Sequence, residues 1–173
     1  HTLNVVRVHL GEKLPEDLEE IDGVISCGGP QDPNCDEPWV EQELKLLHDA
    51  DAMELPLFGL CLGSQIIARA LGGELTRCEK PEMGWYDVNL TPVGRADFIL
   101  SGQPWNGPQF HWHHWQVSTL PVGATLLASS ALCKVQSWMK GVNTYAVQFH
   151  PECTTERIES WIKDDAEQLE QAN

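Results

Sequence analysis

Short apolar runs closed by glycine alternate with stretches of helical period along the first half of this chain. Gly23-Val24-Ile25-Ser26-Cys27 and Pro56-Leu57-Phe58 have the pattern of buried strands. Leu3-Asn4-Val5-Val6-Arg7-Val8 reads as a further strand before them. Between the two runs, Val40, Leu44 and Leu47 recur at helical spacing and predict a helix facing a sheet, with Pro38 in its first turn. After the second run, Ile66, Ile67 and Ala70 share one helical face, and Gly72-Gly73 ends that helix. Downstream, Glu74–Cys78 and Gly84–Thr91 read as extended segments joined by a turn at Lys80-Pro81, and 92–108 as loop with a turn of helix near Ala96–Leu100. Phe110–Trp115, Leu126–Ala128, Cys133–Trp138 and Asn143–Val147 read as strands. A closing helix from about Thr154 to Glu170 carries Ile158, Trp161, Ile162 and Leu169 on its apolar face, with Thr154 or Thr155 as its cap.

Composition narrows the class. A chain of 173 residues with 42% hydrophobic content is read as a single domain, residues 1–173, with a full core. No apolar run is long enough to span a membrane. A net charge of -15 argues against nucleic acid as a partner, because phosphate contacts need Lys and Arg. The six cysteines are scattered without a C-x-x-C pair, which fits a reduced, cytoplasmic setting.

The chemistry gathers at Gly59-Leu60-Cys61-Leu62-Gly63, where the buried run turns sharply into the helix. That is the form of a nucleophile elbow with Cys in the place of Ser. Gly59 and Gly63 leave room for close backbone approach, and the helix start favours a thiolate at Cys61. The Leu62 N–H is placed to receive an oxyanion. A nucleophilic Cys needs a base, and the base needs an orienting acid. Gln148-Phe149-His150-Pro151-Glu152 supplies both: Pro151 keeps His150 extended, so His150 and Glu152 project to the same side.

Gly-Leu-Cys-Leu-Gly-Ser-Gln followed by Gln-Phe-His-Pro-Glu resembles the class I, triad-type glutamine amidotransferase family, and within it proteins similar to the glutaminase domain of GMP synthase. The resemblance implies a flavodoxin-like α/β fold, a mostly parallel sheet flanked by helices, preceded in family members by one further β–α unit of roughly 25 to 35 residues. It implies hydrolysis of the glutamine side-chain amide through a γ-glutamyl thioester on Cys61, with His150 and Glu152 completing the triad. It places a second oxyanion donor at Gly29, in Gly28-Gly29-Pro30, and substrate contacts at Gln65 and His113. Met83-Gly84-Trp85 resembles an element beside the family's pocket. Where the family continues its His-Trp-His segment with Gly-Asp, this chain has His114-Trp115. His111 and His113 share a strand face that suits Zn²⁺, but no nearby Cys or carboxylate completes a set, so no metal and no cofactor is expected. The expected partners are a separate synthetase subunit and a small-molecule substrate, glutamine or another γ-glutamyl compound. The alternatives are a γ-glutamyl peptide hydrolase and a catalytically silent regulatory domain of the same fold. A Cys-variant α/β-hydrolase is disfavoured, because its acid precedes the His by many residues.

Overall fold

Residues 2–172 are described by a computed structural model, and their strands are β1 (Val24–Ser26), β2 (Leu57–Leu60), β3 (Glu74–Leu90), β4 (Asn106–Thr119), β5 (Ala124–Ser129), β6 (Ser137–Lys140) and β7 (Thr144–Val147). They form one sheet in the order β1-β2-β7-β6-β5-β3-β4. The parallel core is β1-β2-β7. Every other pairing is antiparallel, so the sheet is mixed. The short connections from β5 to β6 and from β6 to β7 leave no alternative for those two pairs, since a parallel neighbour needs a crossover. The turn from β6 to β7 is made by Gly141 at φ 60°.

Several local expectations change in the folded chain. Residues 3–7 adopt no regular structure, and Val8–Leu10 is a 3-10 turn rather than the end of a strand. Leu3 and Val5 stay exposed, with no ladder to join. The two extended segments around Lys80-Pro81 are one 17-residue strand, β3. A register shift between Arg77 and Glu82 absorbs Pro81, which cannot donate to the ladder. The short helix falls at α3 (Pro92–Ala96), not at Ala96–Leu100. Thr91 caps it by accepting from the Gly94 N–H, and Pro92 starts it. Asp97 then turns the chain, accepting from the N–H groups of Ile99 and Leu100. The strand expected over Cys133–Trp138 starts later and runs further, as β6, because Ser130 ties Cys133 into a loop. The closing helix breaks into α4 (Thr155–Asp164) and α5 (Ala166–Ala172) at Asp165, whose carboxylate accepts from the Trp112 indole at 2.9 Å.

Helices α1 (Pro38–Ala52) and α2 (Leu62–Ala70) share one core cluster with the sheet, in which Val40, Leu47, Ile66, Ile67 and Trp138 are fully or almost fully buried. Each large aliphatic side chain buried there contributes about 1.5–3 kcal/mol. A second cluster, Val88, Ala128, Val147 and Phe149, lies apart from it. No helix among the described residues is long and apolar enough to cross a membrane.

Candidate active site

The site is built where β2 and β7 end side by side. Leu60 pairs with Val147, and the next N–H, that of Cys61, donates to the Val147 carbonyl at 2.9 Å. Cys61 then turns to φ 50°, ψ -106°, and α2 begins at the following residue. Such backbone costs a non-glycine residue about 1–3 kcal/mol and persists only when its surroundings enforce it. The enforcement is visible at Gly63, whose Cα lies so close to β1 that an added Cβ would sit 1.9 Å from the Ser26 carbonyl oxygen. The first-turn N–H groups of α2 have no intrahelical acceptor, and the positive end of its dipole lies at the sulfur.

His150 follows β7 and is pinned from the other side. Its backbone N–H donates to the Phe110 carbonyl of β4 at 2.8 Å. Its Nδ1 bonds the Glu152 carboxylate at 2.7 Å. A carboxylate only accepts, so Nδ1 carries the proton and orients the ring. Nε2 is buried and makes no full hydrogen bond to any described residue. The Cys61 sulfur still acts on the ring, through hydrogen bonding first and its charge second. Burial works against the imidazolium, but Cys61 and Glu152 together outweigh it and push His150 up to about 9. Glu152 is lowered: burial raises it, and the bond from His150 prevails. The Trp161 ring of α4 meets the imidazole edge-on at 5.0 Å and shields it.

The neighbouring thiols are poor rivals for Cys61. Burial pushes Cys78 and Cys133 up to about 12, with Glu82 adding to it, and burial with Glu152 pushes Cys153 up to about 11. Cys27 is raised by the same two influences. All six cysteines are free.

Gly28 and Gly29 line the approach. A Cβ on Gly28 would come 3.2 Å from His150 Cε1 and 3.6 Å from Cys61 Cβ, and one on Gly29 would come 3.1 Å from the Leu62 side chain. Gly29, Leu62, Cys61 and His150 are thus brought together. Gln65 is buried in α2, and its Nε2 donates to the Trp115 carbonyl at 2.8 Å and to Gln148 Oε1 at 2.9 Å. His113 is buried behind it, with Nδ1 on the Trp115 carbonyl at 3.0 Å and Nε2 on Glu82 at 2.9 Å. Both ring nitrogens of His113 are therefore engaged within the protein.

The carboxylate that the His cluster lacks in sequence is Glu82, which lies directly across the β3–β4 ladder from His113. Glu82, His111 and His113 have the donor types and spacing that could hold a metal ion, as do His150, Glu152 and Cys153. Glu82 already accepts from Ser130, Gln136 and His113, however, so its oxygens are filled by protein donors. Burial holds the His111 imidazole down at about 4, against the pull of Glu82.

The model of the glutamine amidotransferase class-I family matches residues 1–168. The chain belongs to this family. A component of the glutamine-hydrolyzing GMP synthase of Sulfolobus acidocaldarius is 36% identical over 82% of this chain and 72% of its own length. Gamma-glutamyl peptidase 3 of Arabidopsis thaliana is 32% identical over 81% of this chain and 58% of its own. A solved structure of a glutamine amido transferase from Methylobacillus flagellatus superimposes with a TM-score of 0.88 at 29% identity, covering 95% of this chain and 66% of that one. Class I amidotransferases therefore share this curled, mixed sheet with its flanking helices.

Two site residues were not picked out in sequence. Gln148 reaches the sulfur, with Nε2 3.5 Å from Cys61 Sγ. The sequence signal was weak, since β7 ends at Val147 and the chain bends at 148–149 and turns at 151–152, so the extended alternation expected of Gln148, His150 and Glu152 is not what brings them together. Glu82 had none, because its pairing with His113 depends on the register of a long hairpin.

Proposed function

We propose that this chain hydrolyses a γ-glutamyl amide, glutamine or a related compound, through a thioester on Cys61. The observation that carries this reading is the strained turn at Cys61 beside the buried His150, itself bonded to Glu152 at 2.7 Å. In the proposed sequence the Cys61 sulfur attacks the amide carbon and its proton passes to His150 Nε2. Glu152 holds the ring and stabilises the imidazolium. The N–H groups of Gly29 and Leu62 receive the oxyanion, where losing one donor typically costs about 2.7–4 kcal/mol. The C–N bond then breaks as His150 returns the proton to the leaving nitrogen, releasing ammonia or an amine. Water cleaves the thioester and frees Cys61.

Gln65 contributes its Oε1 to the substrate's ammonium group, since both Nε2 hydrogens are committed to Trp115 and Gln148. His113 is assigned to holding the Trp115 carbonyl rather than to touching substrate. A relative named as one component of a GMP synthase supports an ammonia-accepting synthetase partner. His114-Trp115 in place of the family's Gly-Asp favours a second reading, direct hydrolysis of γ-glutamyl peptides, in line with the peptidase relative.

The test is ammonia release from L-glutamine, run beside a panel of γ-glutamyl peptides, with Cys61→Ala as control. Release that vanishes in the variant supports the thioester, and the preferred substrate separates the two readings. A folded chain that is inert on every substrate, both alone and with a candidate synthetase partner, would favour the silent-domain alternative.

A further inference from the structure

Buried amides and carbonyls connect the hairpin β3–β4 to the sulfur in an unbroken line. Glu82 bonds His113, His113 bonds the Trp115 carbonyl, Gln65 bonds that carbonyl and Gln148, and Gln148 reaches Cys61. The direction of each bond is forced. A backbone carbonyl only accepts, so the amide nitrogen of Gln65 must face Trp115. Its second hydrogen can go only to an acceptor, so Gln148 must turn its oxygen to Gln65. The Gln148 –NH₂ group is thereby left facing Cys61 and cannot flip without breaking the bond to Gln65. Both glutamines are almost wholly buried, at 3% and 1% exposure, where water does not compete for these bonds.

We propose that Gln148 is a thiolate-stabilising residue, donating an N–H to the Cys61 sulfur, and that Gln65 is the positioning residue that fixes the orientation of this amide. The proposal rests on Cys61 being the nucleophile. Two bonding states of the sulfur follow. As a thiol, Cys61 points its hydrogen at the Trp112 carbonyl, 3.8 Å away. Once the proton has gone to His150, that carbonyl offers the sulfur nothing, and Gln148 becomes its side-chain donor. A hydrogen bond to a charged acceptor is stronger than one to a neutral acceptor, so the contact favours the reactive form. The titratable groups acting on the sulfur from neighbouring elements are His150, Cys153 beyond it, and Cys78 from β3, with Glu152 behind His150. Among them Gln148 is the neutral donor, so its contribution does not itself titrate.

The test needs no substrate. The rate of Cys61 alkylation by iodoacetamide is followed across pH by mass spectrometry of the Cys61 peptide. Gln148→Met keeps length and removes the donor; it should lower the rate at neutral pH about tenfold and move the profile up by about one unit. Gln148→Glu should lower it further, by adding a negative charge. Gln65→Met frees the Gln148 amide to turn and should lower the rate by a smaller factor. In the unsubstituted chain, the Gln148 side-chain amide resonance should move as Cys61 titrates and stay still in Cys61→Ala, which keeps the proposal open to refutation if a Gln148 variant does not fold. An unchanged pH profile in folded Gln148→Met, or a Gln148 resonance indifferent to Cys61, would overturn it. Failure of the proposed hydrolysis would show as absent turnover with the Gln148 effect on alkylation intact.

Discussion

Replacing Gly63 by alanine sets two well-defined effects against each other. Gly63 is the second residue of α2, and in a helix alanine is worth at most about 1 kcal/mol over glycine, so propensity alone predicts a more stable protein. The surroundings predict the reverse. The new methyl would lie 1.9 Å from the Ser26 carbonyl oxygen, 2.4 Å from its carbon and 2.7 Å from its Oγ, where contacts under 3.0 Å are essentially never found. Relief requires roughly 1 Å of movement between α2 and β1 in a close-packed interior. Ser26 cannot withdraw freely, because its hydroxyl bonds Glu43 at 2.7 Å and its strand is paired with β2. Overpacking of this kind costs about 1–3 kcal/mol and occasionally more. Against unyielding backbone we place it at the top of that range, for a net loss of about 2 kcal/mol. For a domain of this size the loss corresponds to a fall of about 4–8 °C in Tm. Cys61 lies two positions before Gly63 in the strained turn, so the same movement displaces the sulfur, and a 1 Å misplacement can cost about 100-fold in turnover. Thermal melting and release of ammonia or amine from the preferred γ-glutamyl substrate measure the two effects. Gly107→Ala, whose Cβ would meet only Pro104 at 3.5 Å, is the control. A Gly63→Ala protein as stable and reactive as the parent would show that β1 does not hold the elbow.

Two further outcomes follow from the titrating groups. Because the imidazolium of His150 is favoured in the fold, up to about 9 against about 6.5 when unfolded, its stabilisation is complete below the lower value and is lost as pH rises through the higher one. Glu152→Gln removes one of its two supports and should bring the midpoint down, read from the His150 ring resonance; an unmoved midpoint would mean that Cys61 alone sets it. Glu43 is raised by burial, against the bond from Ser26, so the fold prefers its protonated form and loses stability as pH rises towards its folded value from the unfolded one. Glu43→Gln should therefore raise Tm at neutral pH, with the gain shrinking in acid; a lower Tm at neutral pH would show that the ionised carboxylate is needed by Ser26.

The residues proposed to bear the chemistry were legible because local sequence patterns mark them. Cys61 lies between a buried run and a helical run, and His150 directly precedes Pro151, so both positions are marked locally even though β1, β4 and β7 hold them in place. What was not legible depends on pairing. Leu3–Val8 has the composition of a strand, yet a strand exists only beside another, and none pairs with it among the described residues. The single strand through Pro81 needed the β4 register to reveal it, and so did the meeting of Glu82 with His113. The helix turn moved upstream because Thr91 offers a side-chain cap and Asp97 competes for the following N–H groups. His114-Trp115 was legible as a departure, but the carbonyl of Trp115 as a shared acceptor for His113 and Gln65 was not.

The placing of β7 beside β2 has a consequence for the chain's synthesis. Gln148 and Cys61 are 87 positions apart, and between them the chain makes α2, the strands β3 to β6, and lastly β7 itself. At about 5–20 residues per second, a ribosome that has made Cys61 needs roughly 4 to 17 s to make its neighbours. Through that interval the thiol has no imidazole, no amide donor and no β7 carbonyl to receive its backbone N–H. The pairing that supplies them is long-range and parallel, the slowest kind to form. On the proposed mechanism, the reactivity of Cys61 therefore arrives late and all at once, and an unfinished chain carries only an ordinary cysteine.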